Sequence, residues 1–261
     1  MNKNYKIIFF DIDNTLYPND TKIVPQSTID AIKKAKEKGV LICLATGRNY
    51  PLAKMSGVLD VIDFDYMVLC NGSLVLDKNK KIIYKDPLDL KDIEVMLKVS
   101  KDVPCNIVFH TNDDIFCYNN NLDLAFKGLK PFNIPVPDVK ELHEEVYMLN
   151  LFVDDKFTSL FSTLTPSLTY LRLKEFGYDV FKKVNNKSVG IKELLNILNI
   201  DVRDSMAFGD GKNDIEMLSY VGTGVCMGNG VDEAKKVSNY ITTDINDNGI
   251  SNALKHFNII D

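Results

Sequence analysis

The sequence lacks several features that mark whole classes of protein. No apolar run approaches the about 20 residues that span a bilayer. The apolar stretch near the start, residues 7–10, has neither the length nor the small-residue cleavage site of a secretory signal. Basic residues do not outnumber acidic ones (31 against 36), and the formal net charge is −5. Without a basic surplus, we expect no binding to nucleic acid or to an anionic membrane surface.

Paired cysteine motifs and internal repeats are also missing. The five cysteines are scattered, no two stand at Cys-x-x-Cys spacing, and several lie in apolar runs typical of strands. This pattern predicts reduced, buried thiols and a cytoplasmic protein. Nothing in the sequence indicates an oligomeric state.

Both ends of the chain alternate short apolar runs with helical patterns. Runs at 6–10, 40–45 and 66–70 predict strands near the start, and runs at 206–209, 224–227 and 240–242 predict strands near the end. Nearly continuous apolar strands that alternate with helices are typical of a parallel sheet covered on both faces. The sequence therefore predicts an α/β fold with a doubly wound, Rossmann-like core.

The middle of the chain has a different pattern, with hairpins and longer strands around few helices. A hairpin is predicted around residues 77–80, a helix near 89–101, and strands at 106–110, 115–118, 146–153, 167–173 and 178–182. The simplest organisation is a core formed by residues 1–82 and 184–261, with an α+β cap domain inserted over residues 83–183.

Two acidic residues, Asp11 and Asp13, come directly after the first apolar strand, in the run Asp-Ile-Asp-Asn-Thr-Leu. Ligands bind at the carboxyl ends of strands in open parallel sheets. Two carboxylates there repel each other by about 4 kcal/mol at 4 Å, at an effective dielectric near 20, unless a cation lies between them. A simple turn cap is the structural alternative.

Two further motifs suit a phosphate group. Thr46-Gly47-Arg48 follows the next strand, where a hydroxyl, a glycine backbone and a helix start can surround an anion. Lys187 stands at a predicted helix start, against the helix dipole, so its ammonium is a candidate phosphate ligand. The alternatives are an ordinary strand-to-helix turn and a solvated lysine.

The run Gly209-Asp210-Gly211-Lys212-Asn213-Asp214 closes a later strand with two carboxylates and an amide. Mg²⁺ prefers such hard oxygen ligands, takes one or two carboxylates and leaves room for substrate phosphate. A solvated Asp-Gly turn is the alternative.

In this order, the motifs resemble the haloacid dehalogenase superfamily, and more narrowly its Cof-type sugar-phosphatase branch, whose α/β cap follows the second motif. Asn71-Gly72, Met227-Gly228-Asn229 and Asn248-Gly249 add to the likeness, which spans about residues 6–257. Asn14 stands where the family usually has glycine. Because asparagine tolerates unusual backbone angles, we expect the loop to keep its shape.

The resemblance implies a Mg²⁺-dependent phosphatase for a small phosphorylated metabolite. Asp11 would be the nucleophile that forms an aspartyl-phosphate, and Asp13 the general acid and then base. The implied metal ligands are the Asp11 carboxylate, the Asp13 main-chain carbonyl and Asp210, with Asp214 either a direct ligand or an anchor. Thr46, Gly47 and Lys187 would bind the phosphate, while Asn213, Arg48 and Asn71 would support the site or contact the substrate.

The cap is expected to close the site and choose the substrate, which the sequence does not name. Two rival interpretations remain. A phosphohexomutase of the same superfamily would use Asp11 and Asp13 but return the phosphate to the sugar. A catalytically silent sensor of phosphorylated ligands would keep the fold but is expected to have lost part of the catalytic set.

Overall fold

The computed structural model describes residues 4–173 and 176–261, and it divides the chain into two compact units. Unit 1 takes in the chain up to Arg48, Leu52–Tyr84 and Asn186–Asp261, and unit 2 takes in Asn49–Pro51 and Lys85–Asn185. Residues 1–3 and 174–175, which fall inside the predicted core and cap ranges, lie outside the described residues.

Unit 1 is built on an eight-stranded sheet with strand order β13-β12-β11-β1-β2-β3-β4-β5. Its strands are β1 (Ile7–Phe10), β2 (Leu41–Ala45), β3 (Tyr66–Leu69), β4 (Leu74–Asp77), β5 (Ile82–Lys85), β11 (Ser205–Gly209), β12 (Thr223–Cys226) and β13 (Tyr240–Ile241). The strands from β13 to β3 pair in parallel, and β4 pairs antiparallel with β3. The predicted α/β fold with a largely parallel sheet is confirmed, and the hairpin around residues 77–80 extends this sheet.

The helices of unit 1 follow the strands in the alternation that a parallel sheet requires. They are α1 (Gln26–Glu37), α3 (Val58–Val61), α7 (Lys187–Leu198), α8 (Ile215–Tyr220), α9 (Asp232–Val237) and α10 (Gly249–His256), together with α2 (Tyr50–Met55), whose first two residues are assigned to unit 2. One core cluster joins Ile7 and Phe9 of β1 to Ile191 and Leu194 of α7. The apolar stripe of α7 thereby fixes the first turn of this helix against the sheet.

The register of the central strands determines where the polar ends meet. Phe10 lies opposite Leu44 of β2 on one side and opposite Phe208 of β11 on the other. All three strands run in the same direction, so the residues that follow them emerge at one edge of the sheet. This edge carries Asp11, Thr46 and Asp210.

Unit 2 contains a five-stranded antiparallel sheet with strand order β7-β6-β8-β10-β9. The strands are β6 (Cys105–His110), β7 (Ile115–Cys117), β8 (Met148–Val153), β9 (Leu168–Arg172) and β10 (Tyr178–Lys182). Helices α4 (Leu90–Val99) and α6 (Asp155–Leu164) pack on one face through residues such as Ile93, Met96 and Phe161. Helix α5 (Leu122–Leu129) packs on the other face through Ala125 and Leu129, against Val108 and Phe152.

Two of these helices, α5 and α6, were not expected from the sequence. Helix α6 carries many serines and threonines, which favour turns and caps, yet Phe157, Leu160, Phe161 and Leu164 follow helical spacing. The five cysteines are all free and buried, as predicted. Among the described helices, none is long and apolar enough to cross a membrane.

Candidate active site

Four side chains from three segments of unit 1 meet at the carboxyl edge of the parallel sheet. Asp11 follows β1, Asp210 follows β11, Asp214 stands just before α8, and Lys187 opens α7. The exposed fractions are 5% for Asp11, 9% for Asp210 and zero for both Asp214 and Lys187. Ionic groups buried to this degree are stable only when they are paired with one another.

Lys187 connects two of the carboxylates. Its Nζ donates to Oδ1 of Asp11 at 2.5 Å and to Oδ1 of Asp214 at 2.6 Å. This pairing explains a lysine at a helix start, since two buried negative charges outweigh the unfavourable helix dipole. The cap of the helix comes from Asn186, whose side chain accepts from the backbone N–H of Ser188 at 2.9 Å.

Two glycines let the start of α7 approach the loop after β3. Gly72 has a φ of 92°, and a Cβ built on it would lie 2.1 Å from the carbonyl oxygen of Asn186. A Cβ on Gly190 would lie 2.9 Å from the Cα of Gly72 and 2.6 Å from Cγ1 of Val68. Larger residues would push the helix away from the sheet, so these glycines place Lys187 within reach of Asp11.

Asp214 is held from both sides. Besides the bond from Lys187 to Oδ1, its Oδ2 accepts the backbone N–H groups of Asp210 at 3.0 Å and of Gly211 at 2.9 Å. A Cβ on Gly209 would lie 2.6 Å from the Cβ of Asp214, so only glycine leaves room for this carboxylate. Asp214 thus fixes the turn that presents Asp210.

Three of the carboxylates form a group that suits a metal ion. Asp11, Asp210 and Asp214 each offer one oxygen, and these oxygens lie within 4.8 Å of one another. Asp13 does not belong to this group, and the role predicted for its main-chain carbonyl stays a prediction. Thr15, fully buried, donates its hydroxyl to Oδ1 of Asp210 at 3.3 Å.

The charge balance of the site also fits a divalent cation. The carboxylates of Asp11, Asp13, Asp210 and Asp214 face two cations, Lys187 and Arg48. The formal surplus is two negative charges, which one Mg²⁺ would neutralise with the hard oxygen ligands it prefers.

The pKa values of these groups reflect their burial. Burial raises the pKa of Asp11 well above its usual range, which Lys187 opposes and the neighbouring carboxylates reinforce. Burial, with the charge of Asp214, raises the pKa of Asp210 to about 7. Burial would lower the pKa of Lys187, but Asp11 and Asp214 raise it above its ordinary value. The lysine therefore stays charged between its two partners.

Asp13 is held by a different set of partners. Arg48 donates through Nη2 to Oδ1 of Asp13 at 2.7 Å and through Nε to Oδ2 at 3.0 Å. The hydroxyl of Tyr17 donates to the same Oδ1 at 3.2 Å and accepts from Nη2 of Arg48 at 2.9 Å. Arg48 thus contacts a carboxylate in this structure.

The other predicted site residues surround this centre. Thr46 is buried and its hydroxyl accepts the backbone N–H of Arg48 at 3.2 Å. The side chain of Asn71 packs against Gly47, where a Cβ would meet its Oδ1 at 3.1 Å. Asn213 lies in the short 3₁₀ helix Lys212–Asp214, and its Oδ1 would lie 2.7 Å from a Cβ on Gly211. Their roles toward a phosphate or substrate stay predictions.

Asn14 has a backbone conformation compatible with the expectation for this loop, and its effect on the loop's shape stays a prediction. Its φ is 56°, in the left-handed region that asparagine tolerates better than most residues. Its main-chain carbonyl accepts from Nδ2 of Asn229 at 2.8 Å, and Oδ1 of Asn229 accepts the backbone N–H of Ile245 at 3.0 Å. Asn229 therefore ties the loop that carries Asp13 to a distant part of unit 1.

Two contact residues of the site were not assigned from the sequence. Thr15 belongs to the first motif, so its place in that motif was a usable signal. Tyr17 stands four residues after Asp13 on a loop, where no helix or strand periodicity relates the two side chains. Its contact with Asp13 depends on the bridge that pairs these two residues.

Comparison with known proteins gives one consistent family. A family model described as haloacid dehalogenase-like hydrolase matches residues 8–254. YkrA of Bacillus subtilis (strain 168), a provisionally named phosphatase, is 31% identical over 258 residues, which cover 98% of each chain.

Comparison with solved structures gives the same family. A hypothetical protein from Geobacillus kaustophilus HTA426 is 31% identical, with a TM-score of 0.92 over 98% of this chain and 100% of its own. A sugar phosphatase of haloacid dehalogenase subclass IIB is 28% identical, with a TM-score of 0.80 over 98% of this chain and 100% of its own. The chain therefore belongs to the haloacid dehalogenase-like hydrolases, in the Cof-type branch that its motifs resemble.

Proposed function

We propose that this hydrolase is a Mg²⁺-dependent phosphatase that removes phosphate from small phosphorylated metabolites, with Asp11 as the nucleophile. The observation that carries the proposal is the buried cluster at the strand ends, where Lys187 bridges Asp11 and Asp214 and three carboxylates converge within 4.8 Å. The similarity to a sugar phosphatase supports a sugar phosphate as one substrate class.

The orientation of Asp11 suits attack on phosphorus. Lys187 binds Oδ1 at 2.5 Å, and Oδ2 is the oxygen proposed to attack phosphorus. In the first step an oxygen of Asp11 would bond to phosphorus while the bond to the ester oxygen breaks. Phosphoryl transfer of this kind depends on positioning and charge neutralisation, which the fixed carboxylate and the buried ammonium supply.

Asp13 would transfer a proton in each of the two steps. It donates a proton to the leaving ester oxygen in the first step. In the second step it takes a proton from water, the water oxygen bonds to phosphorus, and the bond to Asp11 breaks to release phosphate. One group acting as acid and then as base leaves the enzyme unchanged after each turnover.

The metal ligands proposed are Asp11 and Asp210, with the main-chain carbonyl of Asp13. When bound, Mg²⁺ supplies positive charge to the phosphate oxygens as negative charge develops there. Both oxygens of Asp214 already accept bonds from Lys187 or from backbone N–H groups, which favours an anchoring role for this residue.

The proposed phosphate ligands are the hydroxyl of Thr46, the backbone of Gly47 and Nζ of Lys187. Asn71 and Asn213 would support the site. Unit 2 is proposed to act as the cap that selects the substrate, over about residues 83–183, with residues 1–82 and 184–261 as the core. The free, buried thiols support a cytoplasmic location.

The proposal is tested by phosphate release from a panel of phosphorylated metabolites, with and without Mg²⁺. We expect metal-dependent release by the wild type and a loss of at least about 1,000-fold in Asp11→Asn, because that variant lacks the nucleophile. Asp20→Asn, an exposed position in the same segment, is the matched control and should keep full activity.

A second readout is independent of turnover. Mg²⁺ should raise the thermal midpoint of the wild type, and Asp210→Asn should lose most of this shift because a direct ligand is gone. Conversion of a hexose phosphate to its isomer without phosphate release would indicate the phosphohexomutase instead. Ligand binding with no turnover on any substrate would indicate the sensor.

A further inference from the structure

We propose that Tyr17 is a positioning residue for Asp13, acting together with Arg48 to fix the carboxylate in the orientation used for proton transfer. The inference rests on the proposed function, because it assigns Tyr17 to the acid and base steps of that reaction. It adds to the site a residue that the first sequence motif does not contain.

The contacts of Asp13 leave its carboxylate little freedom. Arg48 approaches side-on, with Nε and Nη2 each bound to a different oxygen, and such a fork fixes the plane of a carboxylate. Tyr17 adds the third bond to this carboxylate, which is the second bond to Oδ1. These three donors occupy part of the lone pairs of Asp13, so the remaining lone pairs point in defined directions.

Tyr17 also fixes the position of Arg48. Its hydroxyl accepts from Nη2, while Nη1 of Arg48 donates to the carbonyl oxygen of Leu52 at 3.2 Å. The guanidinium therefore has partners on the sides that Asp13 does not use. A planar group held in this way loses little freedom when it binds a carboxylate.

Tyr17 itself is buried, and its backbone is hydrogen-bonded within the loop. The residue is 3% exposed, and its backbone N–H donates to the carbonyl oxygen of Ile12 at 3.2 Å. Its carbonyl oxygen accepts the N–H of Asn14 at 2.9 Å, which closes the loop around Asp13. The chain thus places the hydroxyl of a buried residue against the Asp13 side chain, which is itself 38% exposed.

The opposite edge of the same sheet provides a matched control. Tyr5 is 6% exposed, and its hydroxyl shares a hydrogen bond of 2.9 Å with Oγ1 of Thr223. Tyr5→Phe and Tyr17→Phe each remove one buried hydroxyl from unit 1. Only the second variant removes a partner of Asp13.

The test compares two substrates that differ in their need for an acid. A sugar phosphate has a poor leaving group that requires a proton, whereas p-nitrophenyl phosphate has a good one. In single-turnover measurements we expect Tyr17→Phe to slow ester cleavage of the sugar phosphate by about 10-fold or more. Release of p-nitrophenol in the first turnover should stay close to wild type, followed by slower steady-state turnover because the water step also uses Asp13.

Several outcomes would overturn the inference. Equal losses for both substrates in the first turnover, or the same losses in Tyr5→Phe, would indicate a merely structural role. Unchanged kinetics in Tyr17→Phe would remove any role. In an Asp13→Ala background Tyr17→Phe should have no further effect, and an additive loss there would contradict action through Asp13.

These outcomes are separate from those of the proposed function. If the chain is not a phosphatase that uses Asp11, release of phosphate from the sugar phosphate and of p-nitrophenol will not depend on Asp11. If the phosphatase proposal holds and the positioning role does not, the wild type turns over both substrates and Tyr17→Phe shows no preference between them.

Discussion

The two units bury polar side chains in different ways. Unit 1 buries several ionisable groups at strand ends and helix starts, where Lys187 joins Asp11 and Asp214. In unit 2 a row of polar groups crosses the middle of an antiparallel sheet. His110 shares a hydrogen bond of 2.7 Å between Nε2 and Oδ1 of Asn150, and Nδ2 of Asn150 donates to Oδ1 of Asp179 at 2.6 Å.

Sheet geometry accounts for this difference. Parallel strands deliver their following residues to a single edge, so charges from distant segments collect there. Antiparallel strands bring residues of neighbouring strands together in directly opposite or diagonal pairs. Asn150 lies opposite Asp179 on β10, and His110 lies opposite Met148, diagonal to Asn150. The parallel sheet therefore brings charged groups together at one edge. The antiparallel sheet connects polar groups of neighbouring strands by hydrogen bonds.

The largest effect is expected from a substitution that removes the cation of the charge cluster in unit 1. Lys187→Met leaves Asp11 and Asp214 without their shared cation, and we expect a loss of about 3–5 kcal/mol in the free energy of unfolding, together with loss of activity. Urea denaturation measures the stability change in the absence of metal ions.

Lys182 in unit 2 is the matched control for this prediction. Its ammonium pairs with Asp86 and Asp89, but its side chain keeps 16% of its exposure. Lys182→Met is expected to cost at most about 1 kcal/mol, because partly solvated ion pairs contribute little. Equal losses in the two variants would contradict the contrast between buried and solvated pairs.

A second prediction concerns how the stability of the protein depends on pH through the polar row of unit 2. Burial lowers the pKa of His110 to about 4, so between pH 4 and 6.5 the unfolded chain binds a proton that the folded chain does not, and stability rises with pH. Burial raises the pKa of Asp179 to about 7, so between pH 4 and 7 the folded chain binds the extra proton, and stability falls with pH.

In the wild type these two slopes oppose each other between pH 4 and 6.5. His110→Gln should leave the falling slope of Asp179, and Asp179→Asn should leave the rising slope of His110. The difference from wild type should reach at most about 3.5 kcal/mol across this window, at about 1.4 kcal/mol per pH unit for one group, and less for the half-buried Asp179. Denaturation profiles at several pH values measure it, and slopes of the same sign in both variants would refute the opposition.

The smallest effect concerns one left-handed asparagine in each unit, Asn14 (φ 56°) and Asn133 (φ 54°). Replacing either by glycine should change stability by no more than about 0.5 kcal/mol, since glycine adopts these angles freely but gains freedom in the unfolded chain. Replacement by alanine should cost about 1 kcal/mol more, because its Cβ opposes this backbone conformation. Thermal denaturation compares the four variants, and equal stability of the alanine and glycine forms would contradict this explanation.

The sequence predicted unit 1 better than unit 2. The apolar strands that end in Asp11, Asp210 and the Thr46 motif are local signals, and the parallel sheet converts them directly into a site. Lys187 was also noticed locally, because a cation at a helix start requires an explanation.

Other features depend on pairings that no local pattern contains. Asn150 and Asp179 lie in separate strands, and only the register of the sheet shows that they share a hydrogen bond. Tyr17 was missed for a related reason, since the turn that returns it to Asp13 has no fixed period. Helix α6 was a failure of a different kind, because its apolar spacing was present but masked by its hydroxyl residues.

The division of the chain at Arg48 has a consequence for protein engineering. Asn49–Pro51 belong to unit 2, although they are separated in sequence from the rest of it. Nδ2 of Asn49 donates to the carbonyl oxygens of Thr111 at 3.1 Å and Asp114 at 2.9 Å. Unit 2 is thus formed by two separate segments of the chain and not by one continuous segment. A chimera that exchanges only residues 85–185 with a relative would place Asn49 against the relative's backbone at both acceptor positions, so residues 49–51 should be exchanged together with that segment.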